Sequence, residues 1–394
     1  MARCPAIALQ LLCICEPQMQ GNEPPTSLAK GQKPCYNKEK LTFREEFSMP
    51  NIADIDKNFD IPLTVNKQNI AFYSSLSAPF ELYGLMYENQ SFRRMPEDIS
   101  QTVSRNVHQL SRNTAGGRLR FRTDSSCVVI HVKMPHIGKM SHFALCGSSG
   151  FDLYIGSEYR ASYLPPFNIT DGFQGVVELG SCQMREITLH FPLYSDVSEL
   201  YIGLDNTAAL EAPTPYQAEK KLVFYGSSIT QGGCASRPGT AYPTLVARHF
   251  DSDFVNLGFT GNAKGEPAMA EYIKNLPMSA FIYDYDHNAP SVEHLEHTHE
   301  NMFKIIREAN PTLPVIMLSR PKYFPTEEEK ERLAVIRKTY ENALANGDKN
   351  VYFIDGKTLM QFCQNEGTVD GCHPTDLGFF SMAKTLIELL ETIL

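Results

Sequence analysis

The chain has 394 residues, too many for one ordinary hydrophobic core, and its composition, 42% apolar and 21% charged, is that of a globular protein. A formal net charge of -9, with no block of basic residues and no basic cluster with interleaved aromatics, argues against nucleic acid or an anionic membrane as a partner. The 10 cysteines follow neither a paired metal-ligand spacing nor a disulfide framework: Cys4, Cys13, Cys15 and Cys35 fall in the first 35 residues and the rest are scattered singly, which reads as free thiols.

The run from Ala6 to Cys15 is apolar, but Gln10 interrupts it, a single Arg3 precedes it and no small-residue cleavage site follows. A cytoplasmic location is therefore expected, with secretion as the alternative. The run is too short to span a bilayer. Residues 1–50 become polar and carry Pro17, Pro24, Pro25 and Pro34, the composition of a poorly ordered tail.

Residues 51–212 show period-two alternation broken by turns. Val128, Ile130, Val132 and Met134 share one face of a strand, and Ile187, Leu189 and Phe191 repeat the pattern, as do Leu200, Ile202 and Leu204. Short strands separated by turn material such as Thr114–Gly117, with no long amphipathic helix, predict an antiparallel β-sandwich. Ala212–Tyr216, with two prolines, reads as a short linker that would hold this half against the active-site rim in a supporting role.

Residues 216–394 alternate strands with helices. The apolar runs 222–225, 254–257, 280–283, 314–318 and 351–354 precede predicted helices near 241–250, 266–275, 293–308, 326–346 and 376–393. Five such repeats predict an α/β domain, a doubly wound parallel sheet covered on both faces, with ligands beyond the carboxyl ends of its strands.

The chemistry-bearing residues fall on those ends. Gly226-Ser227-Ser228-Ile229 follows the first strand, and there a serine after glycine is presented to the ligand side. Asp370-Gly-Cys-His373 precedes the last helix; three residues apart in one turn, the carboxylate can reach the ring and fix the tautomer that turns Nε2 outward. Thr375 is expected to cap the helix that follows. Asn256-x-Gly258-x-x-Gly261 and the segment ending in Asn288 supply a glycine amide and a side-chain amide, the donors an oxyanion needs.

Two other patterns compete. His294, His297 and His299 could suggest a metal site, yet on a helix His294 and His299 point about 140° apart, and Leu295, Thr298, Met302 and Ile305 mark the buried face. Asp284 and Asp286 could suggest paired-carboxylate chemistry, but two apart on or near a strand, one of them is expected to face the core edge or a helix cap.

The four blocks, in this order on a doubly wound sheet, resemble those of the SGNH (GDSL-type) hydrolases. The match implies Ser228 as nucleophile and His373 as general base held by Asp370, with Ser228, Gly261 and Asn288 forming the oxyanion hole. Ser227 departs from the family's Asp before the nucleophile, which would loosen that turn slightly. Gly150-Phe-Asp-Leu-Tyr154 resembles the Gly-x-Asp-Leu-Tyr motif of the β-sandwich that precedes one branch of the family, so the likeness runs from about residue 50 to the end. Bacterial members of that branch include carbohydrate esterases that remove acetyl groups from hemicellulose oligosaccharides.

The expected activity is therefore a serine esterase acting on short acyl esters of carbohydrate, such as acetylated mannan or xylan, with no metal or organic cofactor. Gln231, Arg237 and Arg320, polar residues of the strand-end loops, are the expected sugar contacts. An acyltransferase using the same triad is the alternative among enzymes; a catalytically inactive carbohydrate-binding protein is the alternative outside them. The absence of Trp makes a dedicated polysaccharide platform less favourable. An ordinary histidine as base implies activity rising with pH through about 6 to 7.

Overall fold

The computed structural model describes residues 52–57, 60–218 and 220–394, and residues 52–394 pack as one unit. The expected tail of residues 1–50, with Ala6–Cys15 and the first four cysteines, lies outside the described residues. Among those described, Cys127, Cys146, Cys182, Cys234, Cys363 and Cys372 are free, and no helix is long and apolar enough to cross a membrane.

The first half is two antiparallel sheets face to face. One is ordered Ile70–Ser74, Glu199–Asp205, Cys127–Lys133, Gly172–Glu178; the other is ordered Leu210–Glu211, Arg118–Thr123, Arg185–His190, Phe151–Ile155, Glu158–Tyr163, with Glu81–Tyr83 also pairing on Arg118–Thr123. The alternation seen in the sequence sets the packing. Val128, Ile130, Val132, Ile187, Leu189, Leu200, Ile202 and Leu204 meet between the sheets in one core, while His131 and Lys133 face out.

The second half is a five-stranded parallel sheet. Its strands are β1 (Lys221–Gly226), β2 (Phe254–Gly258), β3 (Met278–Asp284), β4 (Val315–Leu318) and β5 (Val351–Ile354), in the order β2-β1-β3-β4-β5. Both faces are buried, which is why the strands read as unbroken apolar runs. Val223, Tyr225, Phe281 and Tyr283 pack beneath helices Pro267–Ile273, Val292–Ala309 and Glu327–Ala345. Leu222, Phe224, Ala280 and Ile282 pack beneath Tyr242–His249 and Asp376–Leu390. Chain order reverses direction at β1, so the crevice beyond its carboxyl end is the topological switch point.

The segment between the halves is pinned. The Tyr216 ring lies under the Arg120 guanidinium at 4.0 Å and its hydroxyl accepts from Arg118 Nε at 3.2 Å. Arg94, fully buried, donates from Nη1 to the carbonyls of Asn256 and Gly258 and from Nη2 to that of Leu110, and it stacks over Phe259 at 4.7 Å. A buried guanidinium is costly unless its donors are used; here β2 and Leu110 take up Nη1 and Nη2, while Nε has no partner among the described residues. The sandwich thereby fixes the loop that follows β2.

Candidate active site

At the end of β1 the chain turns into a short helix, Ser228–Gln231, at the closest point between strand and helix. Gly226 and Gly258 sit in register across β1 and β2. A Cβ on Gly226 would lie 1.8 Å from Asp284 Oδ1, and one on Gly258 would lie 2.1 Å from Gln231 N, so only glycine admits this turn. Ser227 is the N-cap: its hydroxyl accepts from Ile229 N at 3.1 Å. The serine that stands in place of the family's Asp supplies the cap oxygen of this turn.

Ser228 Oγ lies 3.0 Å from His373 Nε2, and His373 Nδ1 lies 2.7 Å from Asp370 Oδ2. The other carboxylate oxygen, Asp370 Oδ1, accepts from the amides of Cys372 at 2.9 Å and His373 at 2.7 Å, locking the turn that aims the ring. The turn is closed from behind by Val369 N donating to His373 O and Lys322 Nζ donating to Gly371 O. Thr375 stands at the N-cap position of the last helix, but its hydroxyl donates to Gly367 O at 3.3 Å instead of capping. Asp376 at the head of that helix ties down the other wall, accepting from Ser236 N and Thr240 Oγ1.

The loops that carry the expected donors are tied to one another, Phe259 N donating to Gly226 O. Ser228 is the first residue of its helical turn, so its amide has no intrahelical acceptor. Gly261 adopts φ +63°, and the bonds that close its turn run from Asn262 N and Ala263 N to Phe259 O. Asn288 Nδ2 donates to that same Phe259 carbonyl at 3.0 Å, which binds the Asn288 side chain to the Gly261 loop.

The residues expected to touch a sugar have other occupations. Gln231 is fully buried: Nε2 donates to Asn113 Oδ1 and Leu193 O, and Oε1 accepts from Thr260 N and Oγ1. Arg237 is held by Asp152 Oδ2 at 3.0 Å and the Tyr154 hydroxyl at 2.6 Å, and it stacks 3.9 Å over Tyr159. This gives the Gly-Phe-Asp-Leu-Tyr motif its physical role, since Asp152 also accepts from Gly239 N at 2.7 Å and clasps the loop after the candidate nucleophile. Arg320 pairs with Glu329 at 2.7 Å, and its amide donates to Asp286.

The competing patterns also resolve. His299 is buried against Tyr283 and Tyr285 and meets Thr339 Oγ1 at 2.9 Å, His294 Nε2 meets Lys264 O at 2.8 Å, and His297 is exposed, so the three diverge. The buried face of that helix is Leu295, His299, Met302, Phe303 and Ile306; Thr298 and Ile305 lie at its margin. Asp284 and Asp286 are both buried. Asp284 accepts from Ser227 N and Thr230 Oγ1 beneath the nucleophile turn, and burial pushes its carboxyl up to about 7. Asp286 binds His287 Nδ1 at 3.0 Å and Arg320 N at 3.1 Å.

Residues 219–391 match the model of the GDSL-like Lipase/Acylhydrolase family, and residues 70–210 match that of the N-terminus of Esterase_SGNH_hydro-type, the GxDLY domain. The chain belongs to the SGNH hydrolases of the GxDLY branch. Membership makes it a carboxylic ester hydrolase. A GDSL-like lipase-type protein from Bacteroides ovatus is 29% identical over 82% of this chain and 98% of its own, with a TM-score of 0.74. The salicylyl-acyltransferase SsfX3 of a tetracycline biosynthetic pathway shares the fold at 19% identity, covering 83% of this chain and 98% of that one, with a TM-score of 0.67. So does a family two carbohydrate esterase from Cellvibrio japonicus, at 14% identity, 82% and 98% coverage and a TM-score of 0.56. No curated protein sequence matches the chain.

Several residues of this SGNH hydrolase site carry no signal in the sequence. Tyr194, from the sandwich half, donates its hydroxyl to Ser228 O at 3.1 Å and accepts from Thr260 Oγ1 at 2.7 Å, bridging the nucleophile turn to the loop of Gly261. Asn113, from the same half, binds Gln231. The His142 ring lies 5.7 Å from that of His373. They come from loops more than 30 residues away in the chain, and no spacing rule reaches across two domains.

The histidine is more basic here than the sequence implied. The neighbouring Cys372 sulfur, and after it the Asp370 carboxylate, favour the charged imidazole against burial and raise His373 to about 9. Burial opposes ionisation of Asp370, but the His373 amide, its ring and the Cys372 amide hold that carboxyl down to about 2. A base must be neutral, so a raised pKa keeps His373 protonated at neutral pH and delays activity to higher pH. The activity profile should therefore inflect above the ordinary histidine value of about 6.5. Cys372→Ser should move the inflection to lower pH. A pH–kcat/KM series on both proteins checks this; coincident profiles, or a rate falling between pH 6 and 9, would contradict it.

Proposed function

We propose that this chain is a serine esterase that removes short acyl groups, acetyl above all, from carbohydrate. The observation that carries the reading is the continuous hydrogen-bonded series Ser228–His373–Asp370, beside amide donors from Ser228, Gly261 and Asn288. His373 Nε2 takes the Ser228 proton as Oγ attacks the ester carbonyl, and Asp370 stabilises the imidazolium that forms. The tetrahedral oxyanion is held by the Ser228 and Gly261 amides and the free Asn288 N–H. His373 then protonates the departing sugar hydroxyl, and in the second step it activates water against the acyl-enzyme. No step calls on a metal or an organic cofactor.

The likeness to the Cellvibrio japonicus carbohydrate esterase supports a sugar alcohol as leaving group. The surroundings of the triad suit a small acyl group: Tyr194, Thr260 and Gln231 close the nucleophile turn with hydrogen bonds, and Asn288 ties down the Gly261 loop. Each methylene that finds no apolar pocket forfeits up to ~0.8 kcal/mol of burial. Activity on p-nitrophenyl esters should be highest for acetate and fall steeply toward octanoate. Mass spectrometry of acetylated manno- or xylo-oligosaccharides should show loss of acetyl groups with release of free acetate. Octanoate cleaved faster than acetate, with no acetate from the oligosaccharides, would remove the carbohydrate reading.

The likeness to the salicylyl-acyltransferase keeps one other acceptor chemistry in view, transfer of the acyl group to a second alcohol. Water and alcohol compete for the same acyl-enzyme. Free acetate formed without any added acceptor favours hydrolysis; acyl transfer that outpaces it on addition of an alcohol favours the transferase.

A further inference from the structure

His142, Cys234 and His373 come from three separate segments. His142 occupies the exposed turn bridged by Met140 and Phe143 in the sandwich half, Cys234 follows the nucleophile helix, and His373 stands before the last helix. One ligand atom from each lies within 4.8 Å of the others. We propose that these three residues form a binding site for a borderline-soft divalent cation of the zinc type, and that filling the site withdraws His373 from the triad.

The donor set selects the metal. One thiolate and two imidazoles suit zinc and repel the oxygen-seeking magnesium and calcium. Around a tetrahedral zinc, with bonds of about 2.0–2.1 Å to nitrogen and 2.3 Å to sulfur, the ligand atoms stand about 3.5 Å apart. The three atoms, within 4.8 Å of one another, therefore need to close by no more than about 1.3 Å, and His142, on an exposed turn, is the ligand free to move. Its ring already lies 5.7 Å from the His373 ring, centroid to centroid.

The arrangement behind His373 suits a metal as well as it suits a serine. Asp370 Oδ2 holds Nδ1 at 2.7 Å, leaving the Nε2 lone pair facing outward. A carboxylate behind a ligating histidine fixes the ring and raises its basicity, the usual second support of zinc-bound imidazole. On binding, Cys234 gives its thiol proton to solvent, as His373 gives up its Nε2 proton where the ring is charged, and the sulfur bonds the cation. Nε2 bonds the cation in place of Ser228 Oγ, and water or the Ser228 hydroxyl fills the fourth position. The attacking serine then has no base. A second group, Asp370, Cys372 and His373, also has its ligand atoms within 4.8 Å of one another. All three come from one turn, however, and both Asp370 oxygens are already used in holding it.

Two measurements test this, and only the first rests on the proposed esterase activity. Zinc chloride is titrated against the initial rate of p-nitrophenyl acetate hydrolysis, each protein being compared with its own metal-free rate. Inhibition should be reversed by EDTA and weakened about 10-fold or more in Cys234→Ser and in His142→Ala. Cys372→Ser should stay at least as sensitive to zinc as the starting protein, because a lower His373 pKa leaves more of the ring free to bind the metal. In the second, Co2+ is added to Ser228→Ala protein, which needs no turnover. A thiolate-to-cobalt charge-transfer band in the near ultraviolet should appear, and it should vanish when Cys234→Ser is added. Equal zinc sensitivity in all the proteins, its loss in Cys372→Ser instead, or no cobalt band would overturn the site.

Discussion

Ser228→Ala and His373→Ala should each lower kcat for p-nitrophenyl acetate by about 10³-fold or more while leaving the fold and its unfolding transition in place, because triad members act as a unit. Ser228 Oγ makes its one hydrogen bond to His373, so removing it takes nothing from the core. Asp370→Asn should cost less than either. Its Oδ1 can still receive the Cys372 and His373 amides, but an amide N–H in place of Oδ2 faces Nδ1 and favours the wrong tautomer. Single-turnover and steady-state rates on the three variants decide the matter. Near-native activity in Ser228→Ala would mean another nucleophile, and Ser227 is a poor candidate, being fully buried with its oxygen committed to Ile229 N.

Asn288→Ala should lower kcat by about 10²–10³-fold with little change in KM, the loss seen when a single oxyanion donor is removed. One Nδ2 hydrogen is spent on Phe259 O, leaving the other for the substrate oxygen. Losing the structural bond alone would cost about 1 kcal/mol of stability and leave kcat nearly unchanged. Measuring kcat, KM and Tm together separates the two. A lower Tm with kcat within about threefold of the starting protein would assign Asn288 to scaffolding only.

The line between what could be read and what could not follows the range of the interaction. The five parallel strands were legible because a strand buried on both faces must be apolar at every position, as Leu222–Tyr225 is. The sandwich was legible from Val128–Met134, where one buried face imposes a period of two. Asp370 and His373 were legible because three residues in one turn bring carboxylate and ring together without help from the rest of the fold. Gln231 and Arg237 were less legible because a polar residue in a strand-end loop looks the same in sequence whether it faces a ligand or a partner domain. Here both face the other domain, Gln231 toward Asn113 and Leu193 and Arg237 toward Asp152 and Tyr154.

The pairing of Asp284 and Asp286 shows the same limit. The sequence places them two apart on or near a strand and leaves open what each one faces. The chain leaves β3 at Asp284 and enters a 3-10 turn at Asp286, so each carboxylate finds its own set of donors.

By itself the sequence determined the two-layer and parallel-sheet architectures, the loop that carries Ser228 and the turn that carries Asp370 and His373, all products of local periodicity and short-range reach. Only the tertiary structure decided what surrounds them: that Tyr194 and Asn113 of the sandwich brace the nucleophile turn, and that His142 and Cys234 converge on the ring of His373. Those contacts depend on how two domains dock, and docking is set by the summed shape and buried charge of Arg94, Arg118 and the Asp152 clasp, which no segment of the chain encodes alone.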